Sequence, residues 1–340
     1  MDHYVIITDS GRGLFDERLA DLHTKVKAHL DAEQRQGCSL RYVKVFLSDI
    51  ANQESLLRQS PLMTECLCHA VSTIVQQSPT GGVKIALLLK TSDSIDNFTL
   101  HSLRLNDDEI ANFGAYVQTV MLFDKYLALL KAEGLTLKDH CVRTWIYVRD
   151  IDTNYDAVVK ARNDVFRQHG LTADTHFIAS TGIGGRTSGK HVCVAIDFLT
   201  APNISPDDVV YLKALDHLNP THEYGVAFER GVRIALPQQY HYFISGTASI
   251  NHRGEVVNVG NVVRQTERLL ENIAALLADG GATMADVKYF IIYLRDLADA
   301  GDVEAYMAAH FPSVPRIITL ASVCRPAWLV EMECIAERER

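Results

Sequence analysis

Basic charge is scarce in this chain. It carries 33 lysines and arginines against 42 aspartates and glutamates, a formal net charge of -9 with its 14 histidines neutral. A protein that grips nucleic acid through a broad basic face needs the opposite balance, so that mode is excluded and only a local patch is left open. Long hydrophobic runs are also missing. There is no stretch of about 18 apolar residues, and the opening MDHYVIITDSGRG has no basic segment leading into an apolar one. Neither a membrane span nor an export signal is expected, and the expected setting is cytoplasmic. The seven cysteines are Cys38, Cys66, Cys68, Cys141, Cys193, Cys324 and Cys334, an odd number with no zinc-type C-x-x-C pair. In a reducing compartment they read as small buried hydrophobes.

Catalytic signatures are absent as well. There is no H-E-x-x-H, no tight histidine cluster and no G-x-S-x-G elbow. The run from Gly184 to His191 nearly spells a phosphate loop. However, His191 stands where Ser or Thr must hold magnesium, and the strand-like HVCVAIDFL follows where a helix N-terminus is needed. His191 and His241 lie on strand-like runs and read as satisfied polar groups. No metal and no cofactor are expected.

What the chain does have is length and repetition. Its 340 residues are 47% hydrophobic and 22% charged, enough for two domains of ordinary size and a large core. One segment passes from an amphipathic stretch, YVQTVMLFDKYLALLKAEG, through Thr136 and Asp139 to HCVRTWIYVRDI. Another passes from NVVRQTERLLENIAALLADG through Thr283 and Asp286 to VKYFIIYLRDL. Leucines at three- and four-residue spacing predict a helix in each, a glycine closes it, and the Thr with Asp three residues on resembles a capping box. A further helix and two strands follow in both copies. The second copy opens with a hairpin, VRIAL and YHYFISGTASI, turning at Pro237 and Gln238. This is an α+β pattern of two units, each a sheet with helices on one face. The polar segment 201–208 is the best boundary, giving units 1–205 and 206–340. The first hundred residues are expected to complete the first unit, with a helix at LMTECLCHAVSTIVQQ.

The chemistry is concentrated near the end, where Arg316 follows Pro315 and where Cys324, Arg325, Glu331 and Glu333 lie on mostly apolar, strand-like runs. Glu331 alternates with Val330 and Met332, so it points either into a lined pocket or onto a solvated face shared with Glu333. In a pocket, desolvation raises its pKa and makes it a proton donor. Arg316 either clamps a substrate carboxylate or pairs with a carboxylate of the protein. Arg143, on a strand with Trp145 and Tyr147, is the next cation; Arg230 and Arg325 are weaker ones. Cys324 is a pocket wall, a nucleophile or a buried thiol. Ser245, Gly246 and Ala248 form either a pocket floor of small side chains or a bulged strand end. Tyr224 is either a hydrogen-bond donor to substrate or a structural tyrosine. The first copy ends in HVCVAIDFL, with Asp197 and no Glu-x-Glu, and is expected to be a degenerate site.

Ser245 and Gly246 after YHYFI, Gln265 on the helix, YLRDL, Arg316 after Pro315 and the Val330–Glu333 run resemble the RidA/YjgF superfamily. Thr181 to Gly185, Phe228 to Arg230, Ser245 to Ser249 and Val323 to Arg325 resemble a narrower group within it, the tandem chorismatases. That resemblance implies two RidA/YjgF-like (chorismate mutase-like) units with the active pocket in the second. It implies cleavage of the enolpyruvyl ether of chorismate to pyruvate plus a hydroxybenzoate or a dihydroxycyclohexadiene carboxylate. Glu331 would be the acid, Cys324 would favour aromatisation to 3-hydroxybenzoate, and Arg316, Arg143, Arg230, Tyr224, Ser245, Gly246 and Ala248 would be the binding set. The implied partner is a small anionic substrate, chorismate, with neither nucleic acid nor membrane. RidA proteins are trimers with sites between subunits, so a tandem chain is expected to be a monomer or a small homo-oligomer. A RidA-like enamine or imine deaminase, and a non-catalytic ligand-binding module of the same fold, are the alternatives.

Overall fold

The computed structural model describes residues 2–93, 97–110 and 112–340. The first sheet is built by β1 (Asp2–Thr8), α1 (Phe15–Arg35), β2 (Ser39–Leu47), α2 (Ile50–Gln59), β3 (Val71–Gln76), the short β4 (Ser78–Pro79) and β5 (Ile85–Ser92). The second follows from β6 (Thr99–Leu103), α3 (Ala115–Ala132), β7 (Cys141–Val148), α4 (Ile151–Gln168), β8 (Ala179–Gly184) and β9 (Val194–Thr200). The third begins with β10 (Val209–Leu212) and β11 (Gly231–Ala235). It continues with β12 (Gln239–Ala248), α5 (Val262–Asp279), β13 (Val287–Leu294), α6 (Ala300–His310), β14 (Arg316–Leu320) and β15 (Val330–Glu339).

Local chemistry accounts for these elements. Asn261 caps α5 by accepting from the Arg264 amide, and Gly281 leaves it at φ +85°. Thr283 and Asp286 form the expected capping box, and Thr136 accepts from the Asp139 amide in the other copy. The hairpin of β11 and β12 turns where Pro237 and Gln238 predicted it.

The strand orders are β1-β5-β2-β3, β6-β9-β7-β8 and, inside a seven-stranded sheet, β12-β15-β13-β14. In every case the first two neighbouring pairs are antiparallel and the last pair is parallel. The chain thus contains one β-α-β-α-β-β unit three times. The two units read from the sequence are present, and residues 2–92 form a third instead of completing the first. The helix expected at LMTECLCHAVSTIVQQ is confined to Leu62–Leu67. The β-branched run after it forms β3, which pairs in parallel with β2.

Each of the first two sheets packs one face on its own helices. Leu22, Val45 and Leu87 belong to one such layer, and Phe123, Ile146 and Val158 to another. The opposite faces meet the third sheet in a shared core holding Tyr42, Trp145 and Tyr289. Counted back from the aspartate after each strand (Asp49, Asp150, Asp296), Tyr42 of β2 and Tyr289 of β13 stand at one position, which Arg143 holds in β7. The units are therefore related by an approximate threefold repeat that buries its own clefts between neighbours. Among the described residues, no helix is long and apolar enough to cross a membrane.

Candidate active site

The centre of the site is set by β15. Val330 and Met332 face one side and are fully buried, so Glu331 and Glu333 face the other. That side is not solvent: Glu331 is 4% exposed and Glu333 2%. Beside Glu331, β12 is bulged between Ile244 and Thr247. The bulge brings Gly246 so close that a Cβ there would lie 2.1 Å from Glu331 Oε1. A side chain at this position would force the Glu331 carboxyl to shift.

The two glutamates have different surroundings. Glu333 is saturated. Arg143 Nη2 donates to it at 2.8 Å and Trp145 Nε1 at 2.7 Å, and the Thr181 hydroxyl donates to the oxygen Arg143 uses. Glu331 has no such cage and opens into a cavity of about 560 Å³. Burial, then the neighbouring Glu333 charge, push its carboxyl up to about 8, against a smaller downward pull from Arg143 and Arg230. At neutral pH it is a protonated acid.

The cavity lies between the second and third units. One wall is α4, through Tyr155, Val159, Arg162 and Asn163. The other is the third sheet and its loops, through Gly246, Ala248, Cys324, Trp328 and Glu331. Gly182 of β8 is pinned by the Tyr155 ring, 2.8 Å from where its Cβ would be. Arg162 of α4, Arg230 just before β11 and Arg325 in the loop before β15 all line it. The Arg162 guanidinium lies 6.0 Å from the Phe228 ring and the Arg230 guanidinium 5.4 Å from it. Arg230 also donates to the Asn219 carbonyl at 3.0 Å, and Arg325 lies 5.0 Å over Trp328. Such a pocket suits an anionic, ring-bearing ligand beside a proton donor.

Glu331, Cys324, Arg230, Gly246 and Ala248 come together around this cavity, as the sequence reading grouped them. The solvated-face alternative for Glu331 is overturned by its burial. Cys324 is half-buried, and burial followed by the Glu331 charge pushes its thiol up to about 12, so it is a neutral wall. Three expected binding residues do not line the cavity. Arg143 is spent on Glu333, on Ser245 Oγ at 3.0 Å and on Thr181 Oγ1 at 2.5 Å, so it supports the acid from behind. Ser245 is fully buried; it accepts from Arg143 and from the Ser180 amide and donates to the Glu229 carbonyl. Arg316 is held outside by Glu304 at 2.6 Å and by the Phe311 carbonyl at 3.1 Å. The side chain of Tyr224 lies outside the described residues.

Register explains the displacement of Arg316. It pairs with Phe290, as Ser180 pairs with Thr144. Phe290 and Thr144 hold the same place before Asp296 and Asp150. Ser180 therefore occupies in this cavity the place that Arg316 occupies on the far edge of the third sheet. Glu331 and Arg316 share a sheet but serve different clefts.

The sequence reading missed α4 as a wall, and Arg162 above all. The signal was present: Arg162 sits beside Val158, Ala161 and Val165 on the buried face of an amphipathic helix, where an arginine needs an acidic partner or ligand. Two groups of three possible ligating side chains also meet across long sequence separations, His3 with Glu33 and Cys38, and Asp2 with His241 and Glu337. Both already engage protein groups. Thr91 donates to Glu33 at 2.5 Å, and Lys90 lies 2.8 Å from Asp2. All seven cysteines are free.

Repeated β-α-β-α-β-β units with a buried carboxyl in the cleft between two of them make an α+β protein. Comparisons agree. Residues 229–338 match the family model Endoribonuclease L-PSP. Over 96 residues the chain is 30% identical to the 3-aminoacrylate deaminase RutC of Acinetobacter baylyi, covering 28% of this chain and 76% of that protein. Over 100 residues it is 36% identical to a RutC family protein of Pyrococcus abyssi, covering 28% of this chain and 78% of that one. The chain belongs to the RidA/YjgF (L-PSP) superfamily. Its fold is also that of a chorismatase crystal structure along the whole length, with a TM-score of 0.69 at 18% identity, covering 99% of this chain and 98% of that one.

Proposed function

We propose that the chain is a chorismatase-type enzyme cleaving the enolpyruvyl ether of chorismate. The observation that carries this reading is Glu331, a carboxyl held protonated at neutral pH inside a cation-lined cavity of about 560 Å³. Enol ethers hydrolyse by protonation at carbon, the difficult step, and a buried acid still holding its proton near pH 7 is suited to it.

Glu331 gives its proton to the terminal methylene carbon of the enolpyruvyl group. The double-bond electron pair becomes the new C–H bond, and the positive charge is shared with the ether oxygen. The carboxylate left behind stabilises that oxocarbenium centre. Water adds to it and returns a proton to Glu331. The hemiketal then collapses to pyruvate and the ring alcohol, so one water is consumed. Loss of a water from the ring gives a hydroxybenzoate, and 3-hydroxybenzoate is favoured because Cys324 stands in the cavity wall. Chorismate carries two carboxylates, and Arg162, Arg230 and Arg325 provide separated cations for them.

The deaminase alternative calls for Arg316 opposite the acid, and Ser180 stands there instead. The test is incubation of purified protein with chorismate and mass-spectrometric detection of pyruvate and the ring product, beside Glu331→Gln. The expected result is turnover by the wild type and at least about a hundredfold less by the variant, the range of a lost general acid. Undiminished turnover by Glu331→Gln sinks the mechanism. A wild type inert to chorismate that releases ammonia from 3-aminoacrylate establishes the deaminase reading instead.

A further inference from the structure

The threefold repeat makes a second cleft equivalent to the active one, between the first and second units. It encloses a cavity of about 400 Å³. Ser72, Ile74, Glu54 and Arg58 line it at the positions that Ser180, Gly182, Tyr155 and Val159 hold in the Glu331 cavity. The correspondence follows from register: Ser72 pairs with Val43 as Ser180 pairs with Thr144. The position of Glu331, opposite Tyr293, is taken by Ala195, opposite Tyr147. This cleft therefore has no acid at the place that Glu331 holds in its twin.

It does have unanswered donors. Arg104 Nη2, Ser72 Oγ and Thr187 Oγ1 are buried without a hydrogen-bond partner among the described residues, and all three belong to residues lining this one cavity. The acidic groups nearby are already engaged. Arg58 lies 2.5 Å from Glu54. Asp107 accepts the Lys190 and His191 amides at 3.0 and 2.8 Å. Asp197 accepts from Thr73 at 2.7 Å, Arg104 at 2.9 Å and Tyr147 at 3.2 Å. The Arg104 nitrogen only donates and both hydroxyls are able to donate beside it, so a ligand that only accepts answers all three, and an ionised carboxylate is such a group.

The geometry points to a second, non-catalytic binding site for a small carboxylate in this cleft, with its carboxylate received by Arg104, Ser72 and Thr187. The site is independent of whatever reaction Glu331 performs, since the two cavities share no lining residue.

The probe is 4-bromobenzoate. Crystals of the full chain soaked in it should show bromine anomalous density in the Arg104 cleft, whether or not the Glu331 cavity also fills. Calorimetric titration should then show a binding event weakened at least about tenfold in Ser72→Ala/Thr187→Val, the loss of two hydrogen bonds to a charged group. Arg104→Met should abolish it. The double variant removes hydroxyls alone and keeps the Arg104 ion pair, so a folded protein is available even if Arg104→Met fails to fold. 4-Bromobenzamide, which brings N–H donors of its own, should bind at least about tenfold more weakly at this site. Bromine confined to the Glu331 cavity overturns the proposal. So does binding at crystal concentration only, read as density in the Arg104 cleft with no heat that the double variant removes. Equal affinity for the amide overturns it as well.

Discussion

In the proposed reaction Glu331 is the acid, and its environment fixes a pH dependence. Its carboxyl keeps the proton below about 8 and loses it above. Turnover of chorismate is therefore expected to fall as pH rises through about 8, and a rate that climbs through that range instead would remove Glu331 as the acid. The same group acts on stability. Its folded value lies above the 4.5 of a free glutamate, so from about pH 4.5 to about 8 the folded state holds a proton the unfolded chain has lost. Stability contributed by the protonated form is lost as pH climbs across that window. The gain in melting temperature from Glu331→Gln should accordingly widen from pH 5 to about 8 and then level off. Gly246 is the second informative residue. A methyl group there meets the Glu331 carboxyl, so Gly246→Ala is expected to cost about 1–3 kcal/mol by denaturant titration, the scale of overpacking, and to suppress turnover. The carboxyl, the cysteine and the small residues were legible in the sequence as an odd set on apolar strands. That Arg143 serves Glu333 and not the substrate was not legible, because its partners lie on three other strands, far apart along the chain.

At the scale of elements, the strand edges assign the work. β15 carries both glutamates, one facing the cavity and the other tied to Arg143 and Trp145 of β7. This pair is buried and crosses from the second unit to the third. Arg143→Met leaves Glu333 without its countercharge and is expected to destabilise the fold by about 3–5 kcal/mol in urea titrations. Arg316 on β14 is held by the half-exposed Glu304, a contact of small worth. Arg316→Ala should leave chorismate turnover within about twofold of wild type, since an exposed pair contributes under about 1 kcal/mol. A hundredfold loss would return Arg316 to the site and revive the deaminase reading. Helices α3 and α5 were readable from leucine spacing and glycine stops, α4 and α6 from their place after the Arg-Asp turn, and the hairpin of the third sheet from Pro237 and Gln238. The run after Leu67 was misread as helix because its apolar residues fit either period, and parallel pairing with β2 decided for strand.

The whole molecule repeats one unit three times, and the two clefts proposed for catalysis and for binding are both junctions between copies. A chain that supplies all three units has no need of partner chains to close its clefts. Light scattering is expected to give a mass near 37.9 kDa, and a stable trimer of full chains would contradict this. Two copies were visible in the sequence because both keep the Arg-Asp pair after the central strand, at Arg149 and Arg295. The first copy was hidden because Ser48 replaces that arginine and α1 is largely polar.

The sequence by itself determined the α+β class, two of the three repeats, the absence of long apolar runs and of a basic excess, and the placing of two glutamates on an apolar run near residue 330. These are properties of short windows, set by local periodicity, capping and turn chemistry. Only the tertiary structure decided which cleft Glu331 faces, that α4 of the preceding unit forms its wall, that Arg316 stands elsewhere, and that residues 2–92 make a third sheet. Those outcomes depend on strand register and on contacts between units far apart in the chain. A side chain's type does not reveal which neighbour its strand edge will meet.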